Sequence, residues 1–419
     1  MFGECDHDPT SLALPQRRLD GANHAHLNPT NERREIPKQH PINDRSRAVA
    51  LSGDGTWGKD AGTGPLFQKA RDRCVPRLAP LDHVRMNETE LDDLLSTPRD
   101  ETVAALEICP GDIVILGAGG KMGPTLARMA ARASRDGRRI IAVSRWSSVA
   151  AERALNDAGV ETIRCDLLDR EAVARLPDAP NDVFMAGQKF GTTGAPAMTW
   201  AMNTIVPAIC AERYHGARIV AFSTGNVYEL TPVSLGGSRE QDQLGPVGEY
   251  AASCVGRERM FELYSERNQT STAIVRLNYA IDLRYGVLVD IATRVKRGEP
   301  VAVDMGYVNV IWQGDANRIA LECLARTATP PLVVNLTGAD RLSVRTLATW
   351  FGRRFDTAVQ FAGVERPTAL LSNTARMRSL FAPPEVTVER MLEMVADWVE
   401  HDGPLLGKPT KFEARDGRF

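Results

Sequence analysis

Three evenly spaced glycines, Gly117, Gly120 and Gly123, form the pattern in this sequence that points most directly to chemistry. They follow an apolar run at 113–116 that predicts a buried strand, and a helical apolar pattern over 125–133 comes after them. A strand that turns sharply into a helix needs glycine where φ is positive, where the backbone approaches a pyrophosphate, and where helix and strand pack closely. The pattern therefore predicts a dinucleotide-binding loop over 117–123, the alternative being a tight turn without a ligand.

The residues at the end of the second predicted strand bear on which dinucleotide would bind. An acidic side chain there would accept a hydrogen bond from the ribose 2′-hydroxyl of NAD and would repel the 2′-phosphate of NADP. This sequence has Ser144, Arg145 and Trp146 at that point, and no acid. Because Arg145 could pair with a 2′-phosphate, NADP is favoured over NAD; a solvated surface arginine is the alternative.

A second glycine motif shows why the context of the loop matters. Residues 53–58 match GxGxxG literally, but residues 59–65, which follow, contain two glycines and a proline. Such a segment cannot form the helix that a dinucleotide site requires. We therefore exclude the motif at 53–58 and retain the loop at 117–123.

Strands alternate with helices over the middle of the chain, which is typical of a parallel sheet covered on both faces. After the loop, the patterns predict strands at 139–143, 162–165, 182–186, 218–222 and 272–276, and helices at 148–158, 200–214 and 250–266. Beyond Arg276 the pattern is mixed, with helices predicted at 287–297, 315–325, 343–355 and 388–400 and a strand at 301–303. The fold class is α/β, a Rossmann doubly wound parallel sheet with a smaller C-terminal α/β lobe.

The same patterns divide the chain into segments. Residues 1–85 are rich in Pro, Arg, Asn, Asp and Gly with almost no apolar period, so we expect disorder there. Because a helix-like stretch opens at Met86, we hypothesise that the native protein starts there and that the preceding residues are an over-extended reading frame. The other segments are a helical lead-in at 86–110, an NAD(P)-binding domain at 111–280, an interleaved substrate lobe at 281–402, and a tail at 403–419 expected to be a solvated extension.

Composition limits the class of partner. A formal net charge of −2 provides no overall basic field, which argues against nucleic acid and favours a small molecule. No apolar run approaches the roughly 20 residues that span a bilayer, and no signal-peptide pattern opens the chain, so we expect a cytoplasmic protein without membrane contact. The seven cysteines include no CxxC pair, and only His215 and His401 lie beyond residue 85, so no metal site is expected.

Together these motifs resemble the extended short-chain dehydrogenase/reductase family, the NAD-dependent epimerase/dehydratase group, over about residues 110–400. GxxGxxG is that family's form of the glycine loop. Residues 165–169 are similar to its Asp-containing stretch after the third strand, residues 182–187 resemble its fourth-strand stretch, and Asn203 stands where it has a helix asparagine. The resemblance implies dinucleotide contacts from Gly117, Gly119, Gly120, Lys121, Met122, Gly123, Ser144, Arg145, Asp166 (to adenine), Leu167, Ala186, Gly187, Asn203, Tyr250 and Cys254.

Three further segments resemble the family's catalytic stretches. Residues 222–228 are similar to its Ser/Thr stretch, which implies that Thr224 hydrogen-bonds a substrate oxygen. Tyr250 stands where the family has the tyrosine of YxxxK, which implies an acid/base role. Residues 276–279 match the stretch leading into the substrate lobe, which implies a substrate contact from Asn278.

Two departures from the family pattern affect the chemistry. The family's 4,6-dehydratases use an Asp-Glu pair after the threonine, whereas this chain has Gly225 and Asn226, so dehydration by that mechanism is not expected. Cys254, expected to be a small buried residue, replaces the lysine that lowers the tyrosine pKa, and a thiol cannot supply its positive charge. Lys189 and Arg257 are candidate substitute cations, the alternative being ordinary surface or ribose-side residues.

Two functions are consistent with these residues. The first is an NAD(P)-dependent oxidoreductase or epimerase acting on a sugar, a nucleotide sugar or a similar alcohol or carbonyl compound by hydride transfer, with Tyr250 as acid/base. The alternative, which the missing lysine favours, is a catalytically impaired NAD(P)-binding sensor or scaffold. The retained Thr224 and Tyr250 favour the enzyme. The resemblance also implies a homodimer formed through the helices predicted at 200–214 and 250–266.

Overall fold

A computed structural model of the protein describes residues 86–134, 137–191, 194–408 and 410–418. The predictions made for residues 1–85, namely disorder and an over-extended reading frame, lie outside the described residues. The excluded glycine motif at 53–58 lies outside them as well.

Helices and strands alternate along most of the described chain. The strands are β1 (Ile113–Leu116), β2 (Ile140–Ser144), β3 (Glu161–Arg164), β4 (Asn181–Phe184), β5 (Arg218–Thr224), β6 (Thr231–Pro232), β7 (Thr272–Leu277), β8 (Ala280–Ile281), β9 (Val301–Ala302), β10 (Tyr307–Val308), β11 (Ile311–Trp312), β12 (Leu332–Leu336), β13 (Leu342–Ser343), β14 (Phe361–Ala362) and β15 (Thr368–Ala369). The helices are α1 (Glu88–Leu95), α2 (Asp100–Glu107), α3 (Gly123–Ala133), α4 (Val149–Asp157), α5 (Arg170–Ala174), α6 (Pro196–Trp200), α7 (Val206–Arg213), α8 (Gly248–Asn268), α9 (Val287–Lys296), α10 (Gln313–Glu322), α11 (Val344–Arg354), α12 (Ala375–Leu380) and α13 (Val388–Glu400), with a π-helical segment at Ala201–Ile205 between α6 and α7.

Seven strands form one parallel sheet in the order β12-β7-β5-β4-β1-β2-β3. This order confirms the predicted doubly wound α/β fold. The chain moves outward from β1 in both directions, through β2 on one side and β4 on the other. Such a switch point leaves a crevice at the carboxyl edge of the sheet, which is where ligands bind in open α/β folds.

The two faces of the sheet are covered by different helices because side chains alternate along each strand. Ile113 and Ile115 of β1 lie in one core with buried residues of α3 and α10. Val114 and Leu116 lie in the other core with buried residues of α7. All four side chains are fully buried, which explains why β1 is a continuous apolar run rather than an alternating one.

The edge strand β12 was missed by the sequence analysis. It pairs in parallel with β7, with Leu332 opposite Ala273 and Leu336 opposite Leu277. The chain reaches it only after crossing much of the predicted substrate lobe, so no neighbouring strand-helix unit marks it in the sequence. Helix α10, from the same region, packs against α2 and α3 of the Rossmann part.

The C-terminal lobe has a core of its own. Its buried apolar side chains come mainly from α1, α9, α11 and α13, and include Leu91, Ile291, Phe351 and Val395. Helix α1, from the predicted lead-in, therefore belongs to the core of this lobe.

The expectation that the tail is a solvated extension is wrong for residues 410–418, which we call the C-terminal strap. Thr410 and Phe412 are buried, and Phe412 joins the core of the lobe. The backbone N–H and the Oγ1 of Thr410 donate to Asp290 Oδ2 at 2.8 and 2.5 Å. Arg415 Nη1 donates to the carbonyl oxygen of Thr368 at 2.7 Å. One aromatic residue in a short polar segment is too weak a signal to predict such packing.

Candidate functional site

Two adjoining clefts open at the carboxyl edge of the sheet. The inner cleft, with a volume of about 310 Å³, lies between the glycine loop, the ends of β5 and β7, and the C-terminal lobe. The outer cleft, of about 240 Å³, lies between the glycine loop and the ends of β2 and β3. Gly117, Gly120, Met185 and Gly187 line both clefts, so the two meet over the glycine loop. A two-part cleft joined over a glycine loop matches the shape of a dinucleotide.

The glycines of the loop are required for different reasons. Gly117 has φ +90°, and a Cβ there would lie 2.5 Å from the backbone N of Ala186. A Cβ on Gly123 would lie 2.2 Å from the carbonyl oxygen of Ala118. A Cβ on Gly120 would meet only the Gly117 carbonyl oxygen, at 3.6 Å, which is ordinary contact. Internal packing therefore does not explain Gly120, whereas a phosphate group approaching bare backbone at a helix N-terminus does.

The outer cleft contains the residues predicted to select the dinucleotide. Ser144, Arg145, Asp166 and Leu167 all line it, and Arg145 is exposed. Asp166 is exposed as well, and its Oδ1 accepts from the Leu168 backbone N–H at 3.0 Å. Trp146 is buried, and its Nε1 donates to the Ile163 carbonyl oxygen at 3.1 Å. The ring of Trp146 thus anchors the segment that carries Arg145.

The inner cleft brings together the two predicted catalytic residues. Thr224 ends β5 and Tyr250 lies in the first turn of α8, and their side chains hydrogen-bond each other at the wall of the cleft. Thr224 Oγ1 also accepts from the Asn226 backbone N–H at 3.2 Å and from Asn226 Nδ2 at 3.0 Å. Burial raises the pKa of Tyr250, so its phenol is neutral at physiological pH in this environment.

Cys254, one turn after Tyr250, is fully buried, as expected for a small structural residue. Burial raises the pKa of its thiol, which therefore carries no charge at neutral pH. Cys254 is not among the residues that line the two clefts, and it packs with Val227 and Tyr228, so its cofactor contact stays a prediction.

Both candidate cations line the inner cleft. Arg257 is buried, and it donates to the Phe222 carbonyl oxygen at 2.8 Å and to Asn203 Oδ1 at 2.7 Å. Lys189 Nζ lies 5.9 Å from the centroid of the Tyr250 ring. Burial lowers the pKa of Lys189 to about 8, so it is largely protonated at neutral pH. Lys189 thus lies beside the tyrosine ring, while the Arg257 guanidinium fastens α8 to neighbouring elements and also lowers the pKa of Tyr250 against the effect of its burial.

Asn203 is buried and is not among the residues that line the two clefts, and its cofactor contact stays a prediction. Its Nδ2 donates to the Gln188 carbonyl oxygen at 2.9 Å and to Ser253 Oγ at 3.0 Å. Its Oδ1 accepts from the Gln188 backbone N–H at 2.9 Å as well as from Arg257. Asn203 therefore fixes the segment that carries Lys189, and contributes to the site through that segment.

The sequence patterns did not predict a buried ion pair that lies beneath the site. Arg276 Nη2 lies 2.7 Å from Glu258 Oε2, with both side chains almost fully buried. Ser223 Oγ donates to Glu258 Oε1 at 2.5 Å, and Arg276 Nη1 donates to the Tyr228 hydroxyl at 2.7 Å. This network ties α8, which carries Tyr250, to β5 and β7. The partners lie far apart in the sequence, so no local pattern could have revealed the pairing.

The direction of the Lys121 side chain could not be predicted from the position of this residue in the glycine loop. Its Nζ donates to the Ala280 carbonyl oxygen at 3.1 Å and lies 4.1 Å from the centroid of the Tyr285 ring. Burial lowers the pKa of Lys121 to about 7. The side chain thus reaches from the glycine loop to the start of the C-terminal lobe, across the inner cleft.

The substrate side of the inner cleft is formed by residues of the lobe and the strap. Asn278, Tyr279, Tyr285 and Thr410 line it. Asn278 is held by a hydrogen bond from its Nδ2 to Asn309 Oδ1 at 3.1 Å. Tyr285 and Thr410 had no sequence signal, because neither lies in a recognisable motif.

Residues 113–301 match the family model described as NAD dependent epimerase/dehydratase family. The resemblance seen in the motifs is thereby confirmed over this part of the chain. A comparison with curated protein sequences found no match.

Solved structures with the same fold include several epimerases. The UDP-Glc/GlcNAc 4-epimerase of Campylobacter jejuni is 19% identical with a TM-score of 0.58, and the match covers 70% of this chain and 100% of that one. The epimerase of Methanothermobacter thermautotrophicus is 15% identical with a TM-score of 0.60, covering 72% and 96%. A variant of UDP-glucuronic acid 4-epimerase from Bacillus cereus, solved with NAD and a fluorinated UDP-glucuronic acid, is 14% identical with a TM-score of 0.57, covering 69% and 99%. At these identities the likeness shows the fold.

In the described ranges, no helix is long and apolar enough to cross a membrane. Within the same ranges, no group of three or more His, Cys, Asp or Glu side chains could hold a metal ion.

Proposed function

We propose that the protein is an NAD(P)-dependent oxidoreductase or epimerase that acts on a sugar, a nucleotide sugar or a similar alcohol or carbonyl compound. The observation that carries this proposal is the hydrogen-bonded pair of Thr224 and Tyr250 at the wall of the cleft formed by the glycine loop. Two hydroxyl groups at that position suit a substrate oxygen that gains or loses a proton. The family match over residues 113–301 supports the same class of reaction.

The residues of the inner cleft have different roles in the proposed reaction. A bound nicotinamide would accept or return the hydride. Tyr250 exchanges the proton of the substrate hydroxyl, and Thr224 holds the same oxygen by a hydrogen bond. Asn226, which donates to Thr224 Oγ1 through two groups, leaves the threonine hydroxyl proton directed elsewhere, towards an acceptor.

Lys189 supplies the positive charge that Cys254 cannot. A tyrosine acts as a base near neutral pH only when a cation stabilises its anion. Lys189 Nζ lies 5.9 Å from the centroid of the Tyr250 ring, and its charge is present below a pKa of about 8. The Arg257 guanidinium, which also lowers the pKa of Tyr250, is the second cation near the tyrosine. We therefore propose Lys189 as the functional substitute for the lysine of YxxxK.

The cofactor is NADP or NAD, with NADP favoured. Arg145 is exposed at the rim of the outer cleft, where a 2′-phosphate could pair with it. The Bacillus cereus relative was solved with NAD, which keeps NAD as the alternative. The Kd values of both dinucleotides for the wild type and for Arg145→Ala decide between them. A selective loss of NADP affinity in the variant supports the arginine contact, and equal losses contradict it.

We also propose a homodimer formed through α6, the π-helical segment, α7 and α8. These helices pack against each other, and they expose Met198, Trp200, Ile205 and Leu263. Several exposed apolar side chains on neighbouring helices suit an interface. Sedimentation velocity of the full chain should give a dimer, and Ile205→Glu combined with Leu263→Glu should give a monomer.

A catalytically impaired sensor or scaffold is the second candidate. It is favoured by Cys254 in place of the lysine and by the raised pKa of Tyr250. One assay distinguishes the enzyme from the sensor or scaffold. The full chain is incubated with NAD or NADP and a panel of sugars, sugar acids and nucleotide sugars. The absorbance of the nicotinamide and the formation of substrate isomers are both followed. Turnover of any member supports the enzyme. Dinucleotide binding without turnover across the panel supports the sensor.

A further inference from the structure

The inner cleft contains a cationic group that hydride transfer and proton exchange do not use. Lys121 extends from the glycine loop to Ala280 and Tyr285, and it lines the same cleft as Thr224 and Tyr250. Its hydrogen bond and its ring contact both involve neutral groups. Among the described residues, no ion pair joins Lys121 to a carboxylate within 4.0 Å.

The carboxylates nearest to Lys121 are occupied by other partners. Asp282 lies 3.0 Å from Arg284 Nη2. Asp290 accepts two hydrogen bonds from Thr410, and its burial raises its pKa. Burial lowers the pKa of Lys121, Asp282 raises it, and Arg284 and Lys189 lower it further. The lining of the inner cleft includes Lys121, Lys189 and Arg257 but, among the described residues, no Asp or Glu.

The C-terminal strap limits how large a substrate can be. Thr410 forms part of the cleft wall, and the Phe412 carbonyl oxygen lies 3.5 Å from the Tyr279 hydroxyl. At the other end of the strap, Gly417 contacts the backbone of Gly248, which begins the helix that carries Tyr250. The strap thus runs from the lobe to the start of α8 and bounds the substrate side of the cleft.

We propose that the inner cleft binds a small sugar acid without a nucleotide, its carboxylate paired with Lys121 and one of its hydroxyl groups at Thr224 and Tyr250. A half-buried ammonium without an anionic partner is unfavourable, and a carboxylate offsets that cost through a charge-assisted hydrogen bond. A single carboxylate suits this site better than a phosphate dianion, because Arg257 is already engaged by Phe222 and Asn203. This inference rests on the proposed function for the identity of the reacting hydroxyl.

Titration calorimetry of the full chain tests the proposal, with and without NADP. The ligands are D-glucuronate, D-galacturonate and D-gluconate, each compared with glucose or galactose, together with glucose 6-phosphate and UDP-glucose. At least one acid should bind at least about tenfold tighter than its neutral counterpart near pH 6.5, where Lys121 is mainly protonated. Lys121→Met should abolish this preference, and Lys121→Arg should retain part of it. Lys296→Met, on the outside of α9 beside Asp402, is the control and should keep it.

Four results would overturn the proposal: no acid preferred over its neutral sugar, an unchanged preference in Lys121→Met, tighter binding of glucose 6-phosphate, or tighter binding of UDP-glucose. Because the preference is also measured without dinucleotide, it does not depend on hydride transfer. Failure of the proposed function appears separately, as absence of dinucleotide binding or of turnover in the wild type.

Discussion

The ammonium nitrogen of Lys189 lies 5.9 Å from the centroid of the Tyr250 ring, although the two residues belong to different elements. Lys189 follows β4, whereas Tyr250 lies in the first turn of α8. In the family pattern the corresponding cation would stand one turn along the tyrosine's own helix, where this chain has Cys254. The structure therefore places a positive charge beside the tyrosine from another direction.

Removing the charge of Lys189 should slow catalysis. We expect Lys189→Met to lower kcat about tenfold or more, because one pKa unit of lost stabilisation of the Tyr250 anion corresponds to about 1.4 kcal/mol. Lys189→Arg should retain most of the activity.

The pH profile separates this electrostatic role from a structural one. The pKa of Lys189 is about 8, so its charge is present below that pH and is lost above it. Oxidation by the wild type should therefore decline as pH rises through about 8, and this decline should be absent in Lys189→Arg, which stays charged. Identical profiles for the two proteins would contradict the assignment.

Gly120 and Gly123 should respond differently to a methyl group. Gly120→Ala should weaken dinucleotide binding about tenfold or more with little change in stability, because its Cβ would face the cleft and meet nothing closer than 3.6 Å. Gly123→Ala should lower the free energy of unfolding by about 1–3 kcal/mol, because its Cβ would lie 2.2 Å from the Ala118 carbonyl oxygen. Thermal unfolding and fluorescence titration measure the two effects. Normal affinity in a stable Gly120→Ala protein would argue against phosphate binding at this position.

The buried pair of Glu258 and Arg276 should be important for stability. Arg276→Met leaves the Glu258 carboxylate without its cation, which should cost about 3–5 kcal/mol in the free energy of unfolding. The matched control is the exposed pair on the same helix: Arg259→Met, which separates Arg259 from Glu262, should cost less than about 1 kcal/mol. Chemical denaturation measures both. Similar costs for the two variants would show that the buried network does not anchor α8.

Asp182 should make the protein less stable at neutral pH. Its carboxyl is fully buried in β4, neither oxygen has a hydrogen-bond partner among the described residues, and burial raises its pKa well above the usual range. The folded state keeps a proton that the unfolded chain loses above about pH 4, so this group lowers the free energy of unfolding as pH rises. Asp182→Val should therefore stabilise the protein by about 1–3 kcal/mol at pH 7, and less near pH 4.

Asp112 should have the opposite effect from Asp182 on the pH dependence of stability. Hydrogen bonds from Arg139 outweigh its burial and lower its pKa, so its contribution to stability is present at neutral pH and is lost in acid. Asp112→Asn should therefore destabilise the protein slightly at pH 7. A stabilising effect of Asp112→Asn, or a destabilising effect of Asp182→Val, would show that the two carboxyl groups are not in the protonation states inferred.

Local sequence was sufficient for the parts of the fold that depend on short-range patterns. The apolar run at Ile113–Leu116 and the glycines after it predicted β1 and the start of α3, because a buried strand and a sharp turn restrict residue types strongly. The alternation of strands and helices predicted the parallel sheet. Strand β12 was not predicted because its partner β7 lies far away in the sequence, with much of the lobe between them.

The site was predictable only where a motif marked it. Thr224 and Tyr250 were identified by resemblance, and the structure brings them together. The direction of the Lys121 side chain, the placement of Asn203 behind the cleft, and Thr410 in the cleft wall follow from packing between distant segments. No single stretch of sequence contains that information.

The role of Tyr250 is the central claim, and turnover of the Tyr250→Phe variant tests it most directly. Loss of the hydroxyl should lower kcat by about 100-fold or more while dinucleotide affinity stays near that of the wild type. Tyr264→Phe, on the same helix but partly buried against the core under the sheet, is the control and should retain turnover. Unchanged turnover in Tyr250→Phe would contradict the assignment of Tyr250 as the acid/base.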